Sequence, residues 1–102
     1  MVASNESHQL PAAPRVALGR CCATPGALDA LADAKTDAAD LLRRHSLGDW
    51  GTVCDEDRRA NDEAVRSGER VISAYVLGTG VEVWVITESD RSATTITLPE
   101  EY

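Results

Sequence analysis

From residue 71 onward, apolar side chains recur at every second position, and the earlier part of the chain shows no such run. A period of two is the signature of a pleated strand with one face buried. The segments VISAYVL (71–77) and VEVWVIT (81–87) flank Gly78-Thr79-Gly80, a three-residue connection that suits a hairpin with a glycine bulge. Ile72, Ala74 and Val76 fall on one face of the first segment, and Ser73, Tyr75 and Leu77 on the other. The second segment is apolar on both faces, which predicts a central strand. A polar turn at residues 89–92 leads to a third alternating run, TTITL (94–98), closed by Pro99.

Upstream the period is helical. Thr24-Pro25 reads as an N-cap followed by a first-turn proline, and Leu28, Leu31 and Ala32 then share a face. A second helix is expected from a Thr36 cap, with Asp37 in its first turn, Leu41, Leu42 and His45 inward, and Gly48 as its stop. A third is expected from Asp55 to Ser67 before Gly68, with Ala60, Ala64 and Val65 as a thin apolar stripe. Asn61 and Asp62 are expected to face water. Residues 15–18 (RVAL) form a short extended candidate for the sheet edge. Residues 1–14 lack periodicity and read as a flexible tail, leaving one domain over 15–102. The expected fold is therefore α+β, with N-terminal helices packed on one face of a small C-terminal antiparallel meander.

The core available to such a domain is aliphatic. The chain has no Phe, and its aromatic rings are Trp50, Tyr75, Trp84 and Tyr102, with Trp84 expected in the core. Gly48-Asp49-Trp50-Gly51 predicts a tight turn that plants an indole, as a packing plug with its N–H on a carbonyl or as a ligand-stacking ring. Packing is the favoured reading.

Seventeen acidic against ten basic residues give a net charge of −7, which argues against direct nucleic-acid binding and for solubility or a basic protein partner. Cys21, Cys22 and Cys54 are odd in number and lack CxxC spacing, so a reducing compartment is expected rather than a disulfide framework. No leader-like N-terminus or membrane-length apolar run is present, and the expected location is the cytoplasm. His8 and His45 do not pair with these cysteines at zinc spacing, and the carboxylates around Asp55 do not follow a calcium-loop pattern. No metal or other cofactor is expected.

The polar turn carrying Glu88, Asp90 and Arg91 stands at the end of the most apolar strand, a rigid base for a binding loop. Together with Asp49 and Trp50 it forms the expected partner-binding site; the bland alternative is a turn closed by pairing among its own charges. The TTITL run, read as an edge strand, offers homodimerisation or strand addition as a second mode.

The stretches LGRCCATPGALDALADA, LGDWG, EDRRANDEAV and VISAYVLGTGVEVWVITESDRSATTITLPEEY together resemble a family of small proteins encoded on bacterial plasmids and integrative elements. The resemblance runs from about Val16 to Tyr102 and rests most on GDWG, WVITESDRS and the terminal LPEEY. It implies a mobile-element setting and an accessory role in transfer, maintenance or interference with host defence, with no catalytic residue to carry over. The expected function is that of a non-enzymatic protein-binding accessory or regulatory factor. The alternatives are an inhibitor of a host nuclease, CRISPR or restriction complex acting through acidic residues, and a small enzyme built around Glu88, Asp90 and Arg91 or Cys54.

Overall fold

The structure, a computed structural model, describes residues 13–102; the expected tail falls almost entirely outside them. Strand β1 (Arg20–Ala23) is followed by helices α1 (Pro25–Asp33), α2 (Ala38–Ser46) and α3 (Asp55–Ser67). Strands β2 (Val71–Val76), β3 (Glu82–Thr87) and β4 (Ala93–Thr97) then complete a four-stranded sheet, and a 3-10 turn at Pro99–Glu101 ends the chain.

The three late strands pair antiparallel as their alternation predicts, and β3 is central. The sheet is nevertheless mixed, not a meander: its order is β1-β4-β3-β2, with β1 running parallel to β4. This corrects two expectations. The TTITL segment is interior, and the extended candidate at 15–18 is not a strand; the strand comes five residues later, in RCCA. Arg15 and Val16 instead both donate N–H to the Ser46 carbonyl, at 2.7 and 3.2 Å, which ties the segment to the end of α2 and buries Val16. Gly19, at φ +63°, turns the chain onto β4 so closely that a Cβ there would lie 2.4 Å from the Ser92 oxygen.

Local chemistry explains three of the helix boundaries. The Thr24 hydroxyl accepts the Ala27 N–H at 3.2 Å and Pro25 fills the first turn of α1. The cap of α2 is Asp37, whose Oδ1 accepts the Ala39 N–H at 3.0 Å, while the expected cap, Thr36, donates its hydroxyl back to Ala34. Gly68, left-handed at φ +79°, stops α3.

The core lies between α1, α2 and the sheet face bearing Ser73, Tyr75, Leu77, Val83, Val85 and Ile96, joined by Ala27, Ala30, Leu31 and Leu41. Burying each large aliphatic chain contributes about 1.5–3 kcal/mol. A second cluster of Val16, Trp50, Ala64 and Val71 locks α3 and the 15–18 segment to the sheet end. Leu28 points outward at 54% exposure, so α1 packs through Ala27, Ala30 and Leu31 rather than the expected stripe. Trp84 is not core either. It is half-buried on the opposite sheet face, donating its indole N–H to Glu82 at 2.7 Å, with its ring edge-on to Tyr102.

Two left-handed glycines give a paired prediction. A Cβ at Gly51 would lie 1.8 Å from the Ala74 oxygen, whereas one at Gly68 would meet nothing within 4 Å. Gly68→Ala is expected to cost only its conformational strain, about 1 kcal/mol. Gly51→Ala adds a backbone collision and should cost about 3 kcal/mol or more. Urea denaturation of the two variants checks this, and equal midpoints would refute the close approach.

Candidate functional site

The GDWG loop closes the outer edge of β2. Ala74 donates its N–H to the Trp50 carbonyl at 3.0 Å, and its own carbonyl accepts the Thr52 N–H at 2.7 Å. The Trp50 indole is 3% exposed and donates to the Asp62 carboxylate at 3.0 Å, not to a carbonyl. His45 meets the indole edge-on and the Arg15 guanidinium lies 5.8 Å from the ring centroid. Asp49 accepts from Arg44 Nε at 2.7 Å and from the Gly51 N–H at 3.1 Å, and its carbonyl accepts the Tyr75 hydroxyl at 2.6 Å. The Arg44 guanidinium holds the Asp49 carboxyl below the usual carboxylate range, and burial pushes the Tyr75 hydroxyl up to about 12. Arg44 also lies over the Tyr75 ring, 4.5 Å from its centroid.

Asn61, expected to face water, is 6% exposed and meets the same strand edge. Its amide nitrogen donates to the Ile72 carbonyl at 2.8 Å and its amide oxygen accepts the Ile72 N–H at 3.2 Å, the pairing a neighbouring strand would make. A poor helix former is tolerated mid-helix here because its side chain completes a sheet edge.

In the turn at 88–92 the charges do not pair with each other. Arg91, at φ +61°, sends its guanidinium to four carbonyls: Glu69 at 2.7 Å, Ala64 at 3.0 Å, Glu88 at 3.1 Å and Ser89 at 3.4 Å. Ala64 and Glu69 belong to the end of α3 and the link after it, so Arg91 supplies a cation at a helix C-terminus. Asp90 accepts the Ser92 N–H at 3.0 Å, and the Ser92 hydroxyl together with that N–H holds its carboxyl low. The structure thus separates the five expected binding residues. Asp49 and Trp50 brace one end of the domain, Arg91 staples α3 to the β3–β4 turn, and Glu88 and Asp90 lie exposed.

His45 carries a strongly perturbed imidazole and is wholly buried. Nδ1 lies 2.6 Å from the Ser73 hydroxyl and Nε2 lies 2.9 Å from that of Thr87. Thr87 in turn meets Thr94 at 2.7 Å, and Thr94 donates to the Leu18 carbonyl at 2.7 Å. The carbonyl can only accept, which sets the direction of the whole chain. Thr94 donates to Leu18, so Thr87 donates to Thr94, His45 Nε2–H donates to Thr87, and Ser73 donates to Nδ1. The Ser73–His45 contact has the form of a nucleophile and its base, but both are sealed from solvent, and the link is structural.

Burial, with Arg91 adding a nearby positive charge, lowers the His45 pKa from 6.5 to about 4. Between those values the unfolded chain binds a proton that the folded chain refuses. Stability is therefore complete above about pH 6.5, falls on acidification, and stops responding to this group near pH 4. The gap corresponds to about 3 kcal/mol. His45→Gln keeps one donor and one acceptor without titrating, so its stability should vary much less between those pH values. Parallel slopes for both proteins in pH-resolved urea melts would show that His45 does not control this acid sensitivity. Arg91→Ala is expected to lower stability by about 1–2 kcal/mol through the loss of its charged hydrogen bonds to the carbonyls that tie α3 to the turn, and an unchanged denaturation midpoint would contradict the staple.

On the other side of the sheet lies a groove of about 640 Å³ that no motif advertises. Its floor is Ile72, Ala74 and Trp84 from the sheet, with Val53 from the segment before α3 and Ala60 from α3. Asp57, Glu69 and Glu82 stand around it with a single base, Arg70, whose guanidinium also lies 5.6 Å from the Tyr102 ring centroid. Alternation put Ile72 and Ala74 on one face of their strand, but setting Trp84 beside them took the pairing of Ala74 with Trp84, and α3 as a wall needed the packing of Asn61 and Ala64. Among the described residues, no three His, Cys, Asp or Glu side chains converge as metal ligands, and no helix is long and apolar enough to cross a membrane.

No protein-family profile, curated protein sequence or solved structure matches this chain.

Proposed function

We propose that this protein is a non-enzymatic binding factor that takes a basic, apolar-bearing segment of a partner protein into the groove between α3 and the open sheet face. The observation that carries this reading is the groove's composition: an apolar floor that includes a half-buried Trp84, ringed by three carboxylates and one guanidinium. Such a floor gains from covering apolar area, and the carboxylates select and steer cationic side chains. The surrounding net charge of −7 acts in the same direction over a longer range. Glu88 and Asp90 extend the acidic surface at the far end of β3. On this reading the protein works as the accessory component that its resemblance to mobile-element proteins suggests. A nuclease or defence complex, whose nucleic-acid-binding surface is basic, is the partner class favoured by the acid excess.

Isotope-labelled protein titrated with a short peptide alternating lysine or arginine with leucine provides the test. Amide shifts should centre on Val53, Ala60, Ile72 and the Trp84 indole, and binding should weaken as salt rises. Glu69→Lys should weaken binding several-fold at unchanged melting temperature, and adding Glu82→Lys, which also releases the Trp84 indole N–H, should weaken it further. Equal binding of a glutamate-for-lysine control peptide, or shifts confined to another face, would overturn the proposal.

A further inference from the structure

The two edges of the sheet are treated oppositely. At the β2 edge, Ile72 is paired by the Asn61 amide and Ala74 by Trp50 and Thr52. At the other edge, β1 has β4 on one side only. Arg20 and Thr24 donate inward, to Ser92 and Ile96, each at 2.9 Å. By the two-residue period Cys22 also faces β4, while Cys21 and Ala23 turn their N–H and C=O outward. Among the described residues no backbone group pairs with that outer row. Arg20, Cys21 and Cys22 are exposed.

We propose that β1 pairs antiparallel with β1 of a second copy, about a two-fold axis through Cys22, to give one continuous eight-stranded sheet. The register follows from the local conformation. Gly19, at φ +63°, ends the extended segment on one side and Pro25 starts α1 on the other, leaving residues 20–24, whose centre is Cys22. An axis at Cys22 sets Cys21 opposite Ala23 of the second copy and Ala23 opposite its Cys21, satisfying every outward group of both residues. An axis at Cys21 would require Gly19 to be extended.

Charge complementarity favours a second copy as the occupant. In this register Arg20 lies opposite Thr24 of the second copy, whose hydroxyl donates to Glu101 at 2.5 Å. Each Arg20 therefore approaches Glu101 of the second copy, twice by symmetry, and no like charges oppose each other along the strand. The closed β2 edge then stops growth, so the assembly ends at an isologous dimer instead of a filament. Cys22 faces its own copy at a non-hydrogen-bonded position, where Cα atoms are about 4.5 Å apart, within disulfide range.

That last contact supplies the test; Cys22 lies outside the groove, and Cys54, on its rim, serves as the reference thiol. Proteins retaining one cysteine each, at 21, 22 or 54 with serine at the other two positions, are treated with diamide. The diazene takes up the two hydrogens as two thiols become one disulfide. All three thiols are exposed, so random collision would crosslink all three proteins at similar rates. The Cys22 protein should form covalent dimer at least about tenfold faster than the Cys54 protein, as expected for thiols held at high effective concentration. Arg20→Glu in the Cys22 protein should slow the reaction, and adding Glu101→Arg should restore it. Equal rates for Cys22 and Cys54 would overturn the dimer, and a faster Cys21 protein would overturn the register. Insensitivity to Arg20→Glu would remove the charge pairing on which the choice of a second copy rests.

Discussion

One histidine holds the layers of this domain together. His45 projects from α2 into the sheet and joins Ser73 of β2 to Thr87 of β3; Thr87 continues to Thr94 of β4 and on to the Leu18 carbonyl. Four elements and the entry to β1 thus share a single directed chain of hydrogen bonds inside an aliphatic core. Hydrophobic contact is tolerant of sliding, and this core, with Tyr75 its one aromatic ring among aliphatic side chains, has few shapes that would fix a register. A polar chain is not tolerant: a one-residue slip of any strand would strand several buried donors and acceptors at once. Among the described residues no buried side-chain nitrogen or oxygen lacks a partner. The neutral imidazole this requires makes the domain sensitive to acid.

The late strands were legible because alternation is a local signal and their buried face is unambiguous. Helix limits were legible to within a residue or two where a cap residue dominates, as at Thr24 and Gly68. What escaped reading were long-range backbone pairings. Strand β1 carries RCCA, whose side chains are mostly exposed, so no hydrophobic period marks it and only its hydrogen bonds to β4 make it a strand. Asn61, and the structural role of Arg91, escaped for the same reason. Asn61 looks like a water-facing residue and Arg91 like a binding residue until their backbone partners, Ile72 in one case and Ala64 and Glu69 in the other, are brought beside them by the fold. Trp84 misled in the opposite direction, because a ring in an apolar strand looks like core whichever face it occupies.

The candidate site was legible in its members but not as a place. Ile72 and Ala74 could be put on one face, and Asp57, Glu69 and Glu82 could be counted as acids, yet scattered positions say nothing about a shared rim or about Trp84 beside it. The residues that were conspicuous in the sequence, Asp49, Trp50 and Arg91, are conspicuous because they do demanding structural work: a tight turn, a buried indole, a left-handed arginine. Unusual local chemistry marks strain and bracing as readily as it marks binding.

The sheet has two faces and two edges, and the chain has covering for half of them. Helices α1 and α2 seal one face, while Asn61 and the GDWG loop seal one edge. The remaining face keeps Trp84 half-buried beside an acidic rim, and the remaining edge keeps the outward backbone of Cys21 and Ala23. These two open surfaces differ in what they can recognise. A face reads side chains and charge, and so discriminates among partners; an edge reads backbone, and gains specificity only where flanking groups match, as Arg20 and Glu101 do across a two-fold axis. Joining two copies at β1 would set the two open faces on the same side of one extended sheet, because Cys22 and its counterpart point the same way across the axis. A partner carrying two basic segments would then meet two grooves at once, and the second engagement would proceed at an effective concentration fixed by the sheet itself.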